Sequence, residues 1–245
     1  MISNSDLKKY NKKADYSYTF GMFPTFELLK NCPGHVEKVL MHSTISEDVR
    51  EKVTELCREK GIEVLESSRL IEKLRDKESC LLIGVLDKYE MEIRHDADHI
   101  VLVNPSDSGN VGTILRTALG FGIRDIAIIE PAVDIFSPKT IRASMGAMFS
   151  MRVQLFPSFD AYRTVYGGER TLYPFMLKAT KKLGQVEVGD GHFGLIFGNE
   201  ATGLDESFLS VGQSVIISHS SDIDSLNLSL ATGIAIYEFT RRKFN

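Results

Sequence analysis

The chain has 245 residues, of which 43% are apolar and 25% charged, and its formal net charge is −4. This balance excludes a wholly disordered chain, a collagen-like chain and a coiled coil. The length predicts one or two domains, with a core that hides roughly 70–75% of the extended chain's surface.

A chain of this charge does not wrap duplex nucleic acid by bulk electrostatics, so any such contact is expected to be local. Three basic sets offer one: Lys8, Lys9, Lys12 and Lys13; Lys178, Lys181 and Lys182; and Arg241, Arg242 and Lys243. Each by itself reads as a solvated surface run. No stretch approaches 18 uncharged apolar residues, which predicts no membrane-spanning helix. Lysines among residues 1–13 with no apolar run behind them do not make a signal peptide. Cys32, Cys57 and Cys80 are spaced for neither a zinc knuckle nor a disulfide framework, and the expected setting is a reducing cytoplasm.

In chain order, residues 26–86 read as a small alternating unit. Residues 36–41 and 62–65 have the look of short strands, and 80–86 is a continuous apolar run of the buried-strand type. Between the first two, residues 46–60 place Val49, Val53, Leu56 and Cys57 on one helical face. Ser46 stands at the N-cap, Glu47 and Asp48 in the first turn, and Gly61 just past the end. Residues 68–76 predict a second helix presenting Leu70, Ile71 and Leu74. Residues 87–99 are dense in charge and read as a linker. His95 and His99 stand four apart within it, but without a further ligand they read as polar linker residues and not as a metal pair.

Beyond the linker the alternation is larger in scale. Residues 100–104, 126–129, 152–156, 171–178, 193–197 and 214–218 are strand candidates. Val111, Ile114, Leu115, Ala118 and Leu119 form the stripe of a crossover helix between the first two. Residues 226–241 are apolar almost all round until Tyr237, which predicts a buried helix. Alternating strand and helix units predict an α/β domain with a mostly parallel sheet covered on both faces.

In such sheets ligands bind beyond the carboxyl ends of the strands, and three strand ends here carry glycine-rich or polar loops. They are residues 104–112, leading into a helix with Arg116; residues 197–204; and residues 218–229, entering the last helix. The first has no G-x-G-x-x-G, and the second has Leu204 where a phosphate-binding loop needs lysine. A hydrolase built from Ser225, His219 and Asp222 is conceivable on composition, but no G-x-S-x-G elbow accompanies it.

The residues carry a family resemblance. NPSDSGNVGTILRTALGFG (residues 104–122) resembles the first motif of the SpoU (TrmH-type) branch of the SPOUT RNA methyltransferases. IFGNEATGLDES (196–207) resembles the second motif and DSLNLSLATGIAIYE (224–238) the third, while IRASMGAMF (141–149) is similar to the family's intermediate loop. The likeness covers residues 100–242 in the right order. Residues 1–86 resemble the small L30e-like RNA-binding domain that precedes many members.

The resemblance implies three parts: an L30e-like domain over residues 1–86, a linker over 87–99, and a methyltransferase domain over 100–245. The last is implied to hold a parallel sheet with a deep trefoil knot. It further implies an S-adenosylmethionine-dependent transfer of methyl to a ribose 2′-oxygen of tRNA or rRNA, by a homodimer with the last helix in its interface, without metal or membrane. Five residues map onto the catalytic set: Asn110, Arg116, Glu200, Ser225 and Asn227. Arg116 is expected to stabilise a developing alkoxide and grip a neighbouring phosphate, with Asn110 orienting Arg116 or the ribose and Glu200 fixing Arg116 or the nucleotide. Ser225 and Asn227 are expected to bond the arginine or the cofactor. Without such roles, Asn110 and Ser225 read as helix N-caps and Glu200 as a loop carboxylate. Gly198, Ile217 and Leu226 map onto cofactor-contacting positions. One departure is Ile217-Ser218-His219, where many members have Ile-Pro-Met.

Two other readings belong to different classes: an RNA- or ribosome-binding protein that keeps the fold without catalysis, and a methyltransferase acting on a base nitrogen. The joint presence of the five residues disfavours the first, and the SLNLS motif disfavours the second.

Overall fold

Strands buried along most of their length organise each half of the chain, and the computed structural model describes residues 2–244. The chain divides into two units, Met1–Glu90 with Asp134–Ser150, and Met91–Val133 with Met151–Asn245.

The first unit is built on a four-stranded mixed sheet. It contains β1 (Tyr16–Phe20), α1 (Met22–Asn31), β2 (Val36–Met41), α2 (Glu47–Lys60), β3 (Val64–Glu66), α3 (Ser68–Leu74) and β4 (Leu82–Asp87). Their order across the sheet is β1-β4-β2-β3. Only β2 and β3 are parallel, and α2 is the crossover between them. The α2 stop works as its sequence implies. Gly61 takes the left-handed conformation (φ 67°), and the N–H of Ile62 reaches the Cys57 carbonyl at 2.9 Å, closing the last turn. Val53 and Cys57 are buried there, and Val49 and Leu56 pack beside them.

In the second unit, β5 (His99–Val103), α4 (Ser108–Gly120) and β6 (Asp125–Ile129) come first. The chain then contributes residues 134–150, including α5 (Pro138–Ala143), to the first unit. There Asp134 accepts from the Tyr10 hydroxyl at 2.5 Å and from Lys88 Nζ at 2.7 Å, and Ser17 donates to the Phe136 carbonyl. Gly146 (φ 80°) lies so close to α1 that a Cβ would stand 2.8 Å from Glu27 Cβ and 3.0 Å from Pro24 Cα. The loop 141–149, read from sequence as part of the 100–245 domain, thus packs with the first unit.

The chain returns through β7 (Arg152–Phe156), α6 (Phe159–Tyr166), β8 (Thr171–Pro174), β9 (Lys181–Lys182), β10 (Phe193–Phe197), β11 (Val215–Ile216) and α7 (Leu228–Thr240). Five of these strands form a parallel sheet in the order β7-β6-β5-β10-β8. β5, β6 and β10 are buried almost throughout, as expected of parallel strands covered on both faces. Tyr162 and Tyr166 of α6 pack with Val101, Ala127, Ile129 and Ile196 in one core cluster. The chain order turns back at β5, whose neighbours β6 and β10 lie far apart in sequence, so the carboxyl ends of β5 and β10 flank a topological switch point.

Two stretches differ in detail from the sequence expectation. The charged run 87–99 contains the division between the two units, as a linker would, yet its residues from Met91 on are tied into the second unit. The first residue of the run ends β4, its last begins β5, and Ile93 is buried. The Arg94 N–H donates to Asp125 at 2.9 Å, and Arg170 donates to the carbonyls of Tyr166, Ala97 and His95 at 2.9, 2.6 and 2.9 Å. His99 donates from Nε2 to the Arg94 carbonyl and accepts from the Tyr162 hydroxyl at Nδ1. Burial, and then the Arg170 charge, push its pKa down to about 4, so the ring is neutral at pH 7.

The last helix is likewise not buried all round. Leu228, Thr232, Ala235, Ile236 and Phe239 face the core, while Leu230, Ile234 and Tyr237 are 62%, 43% and 56% exposed. Periodicity cannot separate these faces when both are apolar.

The Arg170 guanidinium is fully buried and serves three carbonyls, so its loss leaves them without a donor. Arg170→Met is expected to destabilise the protein by about 3 kcal/mol, read as a lowered midpoint in urea denaturation.

Candidate active site at the ends of β5 and β10

The loop after β5 begins with Asn104 in the left-handed region (φ 52°), tolerated because a short amide side chain suits that conformation. Asp107 then caps α4, its carboxylate accepting the Asn110 N–H at 2.8 Å. Asn110 is therefore not the cap. It sits at the third helical position and its side chain is available for other partners.

The loop after β10 is closed by Asn199. Its Oδ1 accepts from the N–H of Ala201 (2.9 Å) and Thr202 (3.3 Å), while its Nδ2 donates to the Asn104 carbonyl at 2.8 Å. Gly198 permits this turn. A Cβ there would stand 2.2 Å from the Gly203 carbonyl carbon and 2.4 Å from the Leu204 nitrogen. The glycine is thus required by its own loop's backbone, a reason that the motif likeness did not carry.

Glu200 follows, and its carboxylate joins the two loops. Oε2 accepts from the Ser106 N–H (2.9 Å) and hydroxyl (2.7 Å), and Oε1 accepts from the Asp107 N–H (3.0 Å) and Asn110 Nδ2 (3.2 Å). Asn110 Oδ1 in turn accepts from Asn227 Nδ2 at 3.1 Å. Asn227 is the N-cap of α7, its Oδ1 accepting from the N–H groups of Ser229 and Leu230 and from the Ser229 hydroxyl. One hydrogen-bonded relay thus connects all three strand-end loops. Burial alone would raise the Glu200 pKa, but the hydrogen bonds from Ser106, its own N–H and Asn110 outweigh it and hold the carboxyl down at about 2.

The structure brings together Asn110, Glu200 and Asn227, and it does not join Arg116 to them. Arg116 is exposed on α4 and has no hydrogen-bond or ion-pair partner among the described residues, so Glu200 fixes the first loop and not the arginine. Ser225 is not a cap either. It lines a cavity of about 500 Å³ together with Gly198, Glu200, Ile217, Leu226 and Leu228. The stacked rings of Phe175 and Phe197, 4.6 Å apart, contribute to the same wall. Size and a largely apolar wall edged with backbone groups are those of a small-molecule site. The hydrolase arrangement is absent: Asp222 accepts from the Ser220 hydroxyl, and His219 Nδ1 donates to the Ser220 carbonyl. No group of three or more metal-ligating side chains exists among the described residues.

Ser106, Asp107 and Asn199 escaped the sequence reading. The signal for Asn199 was available, since asparagine in a glycine-rich loop commonly bonds the backbone two residues on. Nothing local distinguishes Ser106 from any loop serine, because its partner lies 94 positions away.

The Glu200 geometry has a pH signature. Its folded pKa is depressed from the ordinary 4.5 to about 2. The stabilisation is therefore fully present above about 4.5 and lost as pH falls towards 2. Between those limits the wild type is expected to lose more stability than Glu200→Gln, measured by denaturant unfolding at stepped pH.

A family model described as the SpoU rRNA Methylase family matches residues 98–237. A 23S rRNA (uridine(2479)-2′-O)-methyltransferase of Streptomyces viridochromogenes is 27% identical over 165 residues, 65% of this chain and 58% of that protein. A 23S rRNA (adenosine(1067)-2′-O)-methyltransferase of Streptomyces azureus is 26% identical over 222 residues, covering 86% of this chain and 82% of the relative. The match spans little more than half the length of several curated relatives, 58%, 53% and 56% of three of them. Among solved structures, an AdoMet-bound rRNA methyltransferase of Sinorhizobium meliloti superposes with a TM-score of 0.80 at 23% identity, over 93% of this chain and 88% of that one. The SpoU methyltransferase AviRb of Streptomyces viridochromogenes gives 0.79 at 22%, over 95% and 91%. With a parallel-sheet core of that fold and a family match running from β5 into α7, the chain belongs to the SpoU rRNA methylase family.

Proposed function

We propose that this chain transfers the methyl group of S-adenosylmethionine to a ribose 2′-oxygen of ribosomal or transfer RNA. The observation that carries this is the relay from Glu200 through Asn110 to Asn227, set beside an apolar cavity, with Arg116 left unpaired on α4. The names of the relatives, which act on 23S rRNA at a 2′-oxygen, support the substrate class.

The cavity suits the cofactor. Its volume of about 500 Å³ falls in the range of small-molecule sites, and Phe175, Phe197, Ile217, Leu226 and the backbone around Gly198 would hold it. When bound, S-adenosylmethionine supplies a methyl group already activated by its positive sulfur, chemistry that needs no Lewis acid. The remaining work belongs to the chain. Arg116, a permanent cation, stabilises negative charge as the ribose oxygen gives its proton to solvent water, and grips an adjacent phosphate through its planar fork. Guanidinium gives up its own proton too reluctantly to serve as the base. Asn110 and Asn227 are held rigid by the relay and orient the acceptor ribose, and Ser225 stands at the cavity wall to position the reacting groups.

The same reading extends to assembly. The bare face Leu230, Ile234 and Tyr237 of α7 supports a homodimer that covers it, since exposed apolar stripes of this kind mark interfaces. We further propose that residues 1–86 form an L30e-like RNA-selecting domain, that the C-terminal part of the parallel-sheet domain is threaded into a deep trefoil knot, and that the protein works in the cytoplasm. The three cysteines, none of them in a disulfide, are consistent with that compartment. No helix among the described residues is long and apolar enough to cross a membrane.

Labelled cofactor incubated with bulk RNA, then nuclease digestion and nucleoside analysis, is expected to yield 2′-O-methylnucleosides. Base-methylated products or none would overturn the reading. Arg116→Ala is expected to lower single-turnover methylation by about 10²–10³ with cofactor affinity nearly intact, and Arg116→Lys to restore little. Light scattering is expected to give a dimer mass for the wild type and a monomer mass for Leu230→Asp.

A further inference from the structure

We propose that Ser106 is a positioning residue for the methyl transfer, holding one oxygen of Glu200 so that the other oxygen fixes the Asn110 amide. The proposal rests on the reading of the site given above and gives a role to a residue of the first motif to which that reading assigned none.

The argument starts from donors and acceptors. The N–H groups at the start of α7 can only donate, and an ionised carboxylate can only accept, so the relay has a fixed polarity at both ends. Asn227 must therefore turn Oδ1 to α7 and Nδ2 to Asn110. Asn110 must turn Oδ1 to Asn227 and Nδ2 to Glu200. Each amide nitrogen carries two hydrogens, and one on each of Asn110 and Asn227 is unused among the described residues. These two N–H donors are available to the oxygens of a ribose.

Their direction depends on the carboxylate plane. The terminal torsion of a glutamate is broad and two-fold, so bonds to one oxygen alone leave that plane loosely defined. Asp107 and Asn110 both bond Oε1. Ser106 bonds Oε2 twice, through its N–H at 2.9 Å and its hydroxyl at 2.7 Å, and so stops the rotation. The hydroxyl makes the shorter of these two bonds and is the side-chain half of the lock; its removal leaves the N–H in place and loosens the carboxylate plane without freeing it. Because Ser106 is exposed, removing its hydroxyl opens no cavity.

The test combines kinetics with a readout that does not need turnover. In the full chain, Ser106→Ala is expected to lower kcat for RNA methylation about tenfold, leave the S-adenosylmethionine Kd unchanged, and raise the titration midpoint of the Glu200 carboxyl followed by carbon NMR. Ser106→Thr, which keeps the hydroxyl, is expected to restore both. Wild-type kcat in Ser106→Ala, an unmoved Glu200 midpoint, or a threonine variant no better than alanine would each overturn the proposal. Failure of the underlying reading looks different: a wild-type chain inactive on every RNA while Ser106→Ala still moves the Glu200 midpoint. That result would remove Ser106 from catalysis and leave it a structural tie.

Discussion

The carboxylate of Glu200 is the interaction on which the site depends. Three loops that enter from different strand ends have no reason in their own sequences to meet. Each would bury or expose its polar groups separately. A single ionised side chain that accepts from Ser106, Asp107 and Asn110 satisfies donors on the first loop, and through Asn110 it reaches the cap of α7. The low pKa of this carboxyl expresses the same fact, since the hydrogen bonds favour its charged form.

The sheet makes that meeting possible. With β5 and β10 adjacent and parallel, their carboxyl ends lie side by side, and the loops leaving them diverge around one crevice. α7 packs along α4, so the first turn of α7 and the first turn of α4 come together. The N-cap of one helix can then hydrogen-bond a side chain in the first turn of the other. Asn227 serves both purposes, because its oxygen caps and its nitrogen donates. An aspartate could cap the helix as well but would present a second negative charge towards Glu200, which explains the amide in physical terms.

Arg116 stands apart from this lattice. Its freedom fits a group that meets a mobile polyanion, because a guanidinium already paired with a carboxylate would have to surrender that bond to bind phosphate. In the proposed reaction, rigid amides and a free cation would divide orientation from electrostatics.

Much of this was legible in the chain itself. Short apolar runs located β2, β5, β6, β7 and β10, and cap chemistry located α2, because these signals depend on neighbours a few residues away. The motif likeness also singled out Glu200, Asn110 and Asn227, but not Ser106 or Asp107, which donate to the same carboxylate. The bonding among them was not legible. From sequence Glu200 was expected to fix Arg116 or the target nucleotide, and only the fold showed it tied to Ser106, Asp107 and Asn110. The placement of residues 134–150 with the first unit, the tethering of residues 91–99, and the two unlike faces of α7 were hidden for the same reason. Each is decided by which surfaces, far apart in sequence, come to lie together, and a hydrogen bond across 94 positions leaves no trace in local pattern. The amino-acid sequence by itself determined the elements, the strand-end loops and the chemistry they carry. The tertiary structure decided who bonds to whom, because burial and hydrogen-bond satisfaction are settled only when distant groups compete for the same partner.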